Sequence, residues 1–151
     1  MTSSSRSLPP QPASPAQVVA QKRILVVDNE PALRRAYSRI IQNAFPTAVI
    51  VVAENSVEAL AAYRQSRFDL VLSDNDMEER GAGLALLKTL KSEDVRLNFI
   101  LMSGAFTDLT IQQARLSGVC ATLSKPFGRE VLIPAITLAL QATCQVEPQM
   151  P

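Results

Sequence analysis

From Arg23 to Ala142, short runs of consecutive apolar residues alternate with longer stretches in which apolar residues return every three or four positions. The short runs suit strands buried on both faces, and the wider spacing suits helices buried on one. RILVV (Arg23 to Val27) predicts a first strand. Pro31, suited to a first helical turn, opens a helix that gathers Leu33, Ala36, Tyr37, Ile40, Ile41 and Ala44 on one side. AVIVVA (Ala48 to Ala53) predicts the second strand, followed by a helix through Val57, Leu60, Ala61 and Arg64 with its cap at Asn55 or Ser56. A third strand spans Asp69 to Ser73, and Leu84, Leu87 and Leu90 mark the next helix. NFILMS (Asn98 to Ser103) is the fourth strand, Thr107 or Asp108 caps a helix through Ser117 that Gly118 stops, and VCATLS (Val119 to Ser124) is the fifth. The last helix runs from Arg129 to Ala142.

Strands that each feed a helix must lie parallel, joined by right-handed crossovers that cover both faces of the sheet. The expected fold is therefore α/β, a doubly wound five-stranded parallel sheet in the flavodoxin-like order 2-1-3-4-5. Ligands of such sheets bind outside the carboxyl ends of the strands, where the order reverses. That rule collects distant residues: Asp28, Asn29 and Glu30 after strand one, Asp74 and Asp76 after strand three, Ser103 at the end of strand four, and Ser124, Lys125 and Pro126 after strand five.

Composition narrows the picture. At 151 residues and 47% hydrophobic, the chain fits one domain with tails. Its first twenty residues hold five Ser and four Pro and no apolar stretch of signal-peptide length. We expect a disordered Ser/Pro-rich leader over 1–22, one domain over 23–143 and a short tail over 144–151. A net charge of +1 with no dense basic run argues against nucleic acid, and no run reaches the roughly eighteen apolar residues of a membrane span, so a soluble cytoplasmic protein is expected. Cys120 and Cys144 form no CxxC pair and read as idle thiols. The chain has no histidine, so any phosphate that travels on histidine must arrive from another protein.

Clustered carboxylates repel one another unless a cation sits among them. Oxygen donors without Cys or His select a hard ion, Mg²⁺ above all, which keeps waters and leaves room for phosphate oxygens. Asp74 can then act as a carboxylate nucleophile toward phosphorus, with the Lys125 ammonium and the cation neutralising the charge that builds on the phosphoryl oxygens and Ser103 donating a hydrogen bond. Taken singly, Asp28 and Asp74 also read as turn formers, Ser103 as a capping hydroxyl and Lys125 as a solvated charge. Their joint placement at four strand ends is what favours chemistry.

ILVVDNEP, DLVLSD, ILMSG and LSKPF, in that order, resemble the receiver domain of two-component response regulators, the CheY-like family, over Arg23 to Ala142. The resemblance implies a phosphorelay protein in which Asp74 is the phosphoacceptor, Ser103 the switch hydroxyl and Lys125 the phosphate-contacting lysine. It also implies Mg²⁺ held by Asp28, Asn29, Asp74 and the backbone carbonyl of Asp76, and a cis Lys125-Pro126 peptide. Several positions depart from the pattern. Asn29 stands where a second acid is usual, which weakens metal binding; Glu30 reads as a first-turn helix residue. Glu78 replaces a usual proline, and Gly81 and Gly83 straddle the place of a usual glycine, so the loop after Asp74 is one residue longer. The Asp76 side chain is expected to point outward. Thr122 occupies a switch position that many receivers fill with an aromatic ring.

The leading expectation is a single-domain response regulator that accepts a phosphoryl group on Asp74 from a histidine kinase or histidine phosphotransfer protein and signals to a downstream protein through a changed surface. Its own catalysis is limited to self-phosphorylation and self-dephosphorylation. The last helix carries more apolar residues than one buried face needs, so homodimerisation through it is weighed against a deep core position. The alternative function is a phosphate-independent pseudo-receiver interaction module, and the third is a haloacid-dehalogenase-like phosphatase suggested by the SDND run.

Overall fold

The computed structural model describes residues 21–141; the expectations for the leader before residue 21 and the tail after residue 141 lie outside the described residues. The apolar runs become β1 (Arg23–Val27), β2 (Val49–Ala53), β3 (Leu70–Asp74), β4 (Asn98–Ser103) and β5 (Ala121–Ser124). Between and after them run α1 (Pro31–Ala44), α2 (Ser56–Gln65), α3 (Ala82–Glu93), α4 (Asp108–Leu116) and α5 (Arg129–Gln141). All neighbouring strands pair in parallel, in the order β2-β1-β3-β4-β5, as the alternation predicts.

Successive side chains of a strand point to opposite faces, so the central strands feed two cores at once. Ile24, Val26, Leu70, Leu72, Ile100 and Met102 pack with Tyr37 and Ile41 of α1 and Leu132, Ile136 and Ala139 of α5. Their neighbours Leu25, Val27, Val71, Phe99 and Leu101 pack on the other face with Ala59 of α2, Leu86 and Leu90 of α3 and Ala114 of α4. Each fully buried Ile, Leu or Phe of this set stabilises the fold by about 1.5–3 kcal/mol relative to an exposed one. That burial fixes where the strands end, and hence where the polar residues beyond them lie.

Local signals act as expected at most helix ends. Asn55 caps α2 by accepting from the Glu58 N–H at 2.9 Å, and Thr107 caps α4 by accepting from the Thr110 N–H at 3.1 Å. Gly118, with φ of +89°, closes α4, as a left-handed residue does after a helix. β5 starts two residues later than the apolar run because the Val119 N–H is used by the Ala114 carbonyl at the end of α4. Cys120, read as an idle thiol, is instead disulfide-bonded, and the other cysteine of the chain lies outside the described residues. α5 buries Leu132, Ile136 and Ala139 against the core and leaves Leu138 66% exposed. No helix among the described residues is long and apolar enough to cross a membrane.

Candidate functional site

The carboxyl ends of β1, β3, β4 and β5 converge. Asp28 follows β1 directly and is fully buried, yet both its oxygens are satisfied. Oδ1 accepts the Glu30 N–H at 2.9 Å, and Oδ2 accepts from Lys125 Nζ at 2.7 Å. The same Nζ lies 3.3 Å from Oδ1 of Asp74, the last residue of β3. Lys125 leaves β5 through a cis peptide to Pro126, and its backbone N–H is held by the Ser103 carbonyl at the end of β4. One ammonium thus joins two carboxylates delivered by two different strands.

Burial pushes the Asp74 carboxyl above its ordinary pKa; the Lys125 ammonium works against this, and the charges of Asp28 and Asp76 add to it. Burial alone would pull the Lys125 pKa down, but the hydrogen bond and charge of Asp28, with the charge of Asp74, outweigh it and leave the lysine above its ordinary value. Lys125 stays an ammonium between two carboxylates, Asp28 and Asp74, which with both acids ionised leaves one formal negative charge over. An arrangement of that kind attracts a further cation.

Aromatic side chains back the lysine. Tyr37 of α1 and Phe127, two residues beyond Lys125, stack with ring centroids 5.4 Å apart, and Nζ sits 6.0 Å from the Tyr37 ring. Arg34 of α1 donates to the Asp28 carbonyl at 2.7 Å. Spacing alone marked Tyr37 only as a core position, and no signal in the sequence pairs it with Phe127.

The loop side is built differently. Asn75, which the sequence reading passed over, is buried: its N–H donates to the Met102 carbonyl at 2.7 Å, its carbonyl accepts from Gly83, and its side-chain oxygen accepts the Leu84 N–H at 2.9 Å. It fastens the start of α3 to the end of β3. Gly83 is the glycine this fastening requires, because a Cβ there would fall 2.2 Å from the Asp74 carbonyl oxygen. Gly81 serves a separate need, turning the chain into α3 at φ of +82°.

Asp76 departs from expectation: its side chain points inward. Oδ2 accepts from Ser103 Oγ at 3.2 Å, and Oδ1 accepts the Gly81 N–H at 3.2 Å. Ser103 itself is fully buried, and its oxygen also accepts the Ala105 N–H at 3.0 Å. Glu78, in the same loop, accepts the Ser56 N–H at 3.1 Å at the start of α2, and its hydrogen bonds to Ser56 outweigh burial and hold its carboxyl below the ordinary value. Glu30 takes the N-cap position of α1 rather than its first turn and makes no side-chain cap bond. Asn29 is exposed on the rim, lining a cavity of about 220 Å³ with Glu54, Asn55, Met77 and Glu78. Thr122 lies in β5, half-buried. Among the described residues no three His, Cys, Asp or Glu side chains converge as a ready metal cage.

The chain is similar to known proteins across most of this structure. It is 30% identical to the chemotaxis protein CheY of Bacillus subtilis over 119 residues, which are 78% of this chain and 97% of that one. It is 31% identical to a response regulator receiver protein of Anaeromyxobacter, covering 76% of this chain but only 45% of that relative's length. The fold matches chemotaxis response regulator CheY4 of Vibrio cholerae with a TM-score of 0.71 at 24% identity, over 80% of this chain and 99% of that one. A CheY-like receiver domain from Methanospirillum hungatei matches with a TM-score of 0.74 at 23% identity, over 81% and 95%. The model of the response regulator receiver domain matches residues 24–137, and the chain belongs to that family.

Proposed function

We propose that the chain is a single-domain response regulator that accepts a phosphoryl group on Asp74 from phosphohistidine on a histidine kinase or phosphotransfer protein, within a receiver unit of about residues 23–143. The family is a signalling module and not a class of enzyme. The observation that carries the reading is Lys125 Nζ between Asp28 and Asp74, at 2.7 and 3.3 Å. A carboxylate oxygen of Asp74 forms the bond to phosphorus as the phosphorus–nitrogen bond of the donor breaks and the imidazole leaves with the electron pair. Negative charge then gathers on the phosphoryl oxygens beside the Lys125 ammonium, which is already in place and needs no reorganisation. Burial of Asp74 limits the water that would hydrolyse the acyl-phosphate.

The donors present suit Mg²⁺. Two carboxylates, Asp28 and Asp74, with the Asn29 amide and the Asp76 carbonyl form an all-oxygen set, and the two carboxylates share a single ammonium, Lys125. When bound, the ion supplies a hard positive charge to phosphoryl oxygens. The amide at 29 weakens the site without closing it. Signal output would pass to a downstream protein in the cytoplasm, without nucleic acid or membrane as direct partner.

The second reading, a phosphate-independent interaction module, is favoured by one observation: the Ser103 hydroxyl is held by Asp76, not aimed at Asp74. Intact mass after incubation with Mg²⁺ and acetyl phosphate separates the two. A gain of one phosphoryl group in the wild type and none in Asp74→Asn is the expected result. Lack of uptake from acetyl phosphate and from a histidine donor alike would leave the interaction module standing.

A further inference from the structure

Ser103 Oγ has a single proton, so it cannot donate to Asp76 and to a phosphoryl oxygen at once. A phosphoryl group on Asp74 competes for that proton, and its negative charge also repels the Asp76 carboxylate. Both effects push the same way. Asp76 holds the Gly81 N–H with its other oxygen, and in the same loop Glu78 holds the Ser56 N–H of α2. β5, by contrast, has Thr122 at the switch position, with no ring to swing inward.

We propose that Asp76 is the positioning residue of the switch hydroxyl, latching Ser103 in the unphosphorylated state, and that its release carries the change into the β3–α3 loop and the start of α2. This deepens the phosphoacceptor reading and rests on it. The latch is made of one carboxylate with two neutral donors, so its loss frees the loop without stranding a buried charge. The half-buried position of Asp76 lets the freed carboxylate turn to water at little cost.

Amide hydrogen exchange of the full chain, with phosphoryl occupancy read by intact mass on the same sample, tests the latch. On phosphorylation with acetyl phosphate and Mg²⁺, the Gly81 amide should exchange about tenfold faster, the factor that loss of a hydrogen bond to a charged group produces. Ser56 should move in the same direction. In Asp76→Ala the Gly81 amide should exchange fast beforehand and gain nothing on phosphorylation. Asp76→Asn, which keeps an acceptor oxygen and removes the charge, should open less than wild type. Phosphorylated wild type with unchanged exchange at Gly81 and Ser56 would overturn the latch while leaving Asp74 as acceptor. Absence of phosphoryl uptake by mass from any donor would overturn both.

Discussion

Asp28 and Asp76 are both carboxylates beside Asp74, and they are held in opposite ways. Asp28 is fully buried at a strand end and gives one oxygen to an ammonium, Lys125 Nζ, at 2.7 Å. Asp76 is half-buried in a loop and gives its oxygens to two neutral donors, Ser103 Oγ and the Gly81 N–H, each at 3.2 Å. A buried ion pair is costly to break, because removing one partner strands the other's charge. A partly hydrated carboxylate with neutral partners can let go. The strand-borne wall of the site is therefore the fixed one, and the loop-borne wall is the one able to move.

Removing the fixed wall's cation should have the largest effect. Lys125→Met leaves Asp28 and Asp74 facing each other without an ammonium, and a loss of about 3–5 kcal/mol in urea unfolding at neutral pH is expected. The pH dependence has a definite sign. Asp74 already sits above its ordinary value because of burial, and loss of the ammonium that opposed this raises it further. A raised carboxyl penalises the folded state above its pKa, so the deficit should shrink as pH falls through the raised value toward the ordinary one. A deficit independent of pH would mean that the lysine contributes packing and not charge. On the moving wall, Gly83→Ala drives a methyl group into the Asp74 carbonyl and should cost about 1–3 kcal/mol, with α3 displaced from the end of β3. Unchanged stability there would show that the start of α3 yields without cost. The smallest effect sharpens the contrast between the acids: Asn29→Asp adds charge on the exposed rim, and Mg²⁺ affinity by titration calorimetry should rise about tenfold, or about 1.4 kcal/mol. No gain would place residue 29 outside the cation's reach.

The sheet was legible because buried parallel strands are nearly continuous in apolar residues, as β3 and β4 are. RILVV and NFILMS matched their strands residue for residue, while β5 began late because its first N–H belonged to the end of α4. The positions of Asp28, Asp74, Ser103 and Lys125 followed from topology, since each ends a strand or sits just past it. Where the side chains point did not follow. Asp76 was expected to face solvent, because nothing in the order of residues reveals that a loop folds back on the hydroxyl of another strand. Asn75 and Gly83 were hidden for a related reason: their work is done by backbone groups and by the space a missing Cβ leaves. The stack of Tyr37 on Phe127 joins residues that share no local pattern.

That stack has an optical consequence. The chain contains no tryptophan and two tyrosines. Tyr63 donates its phenolic proton to the Asp94 carboxylate at 2.7 Å, an arrangement that quenches tyrosine emission in the excited state. Tyrosine emission of the folded protein is then expected to report mainly on Tyr37, whose ring lies 6.0 Å from the lysine that bridges the two acids. Tyr37 is thus a built-in optical reporter beside the Lys125 ammonium, readable without any label.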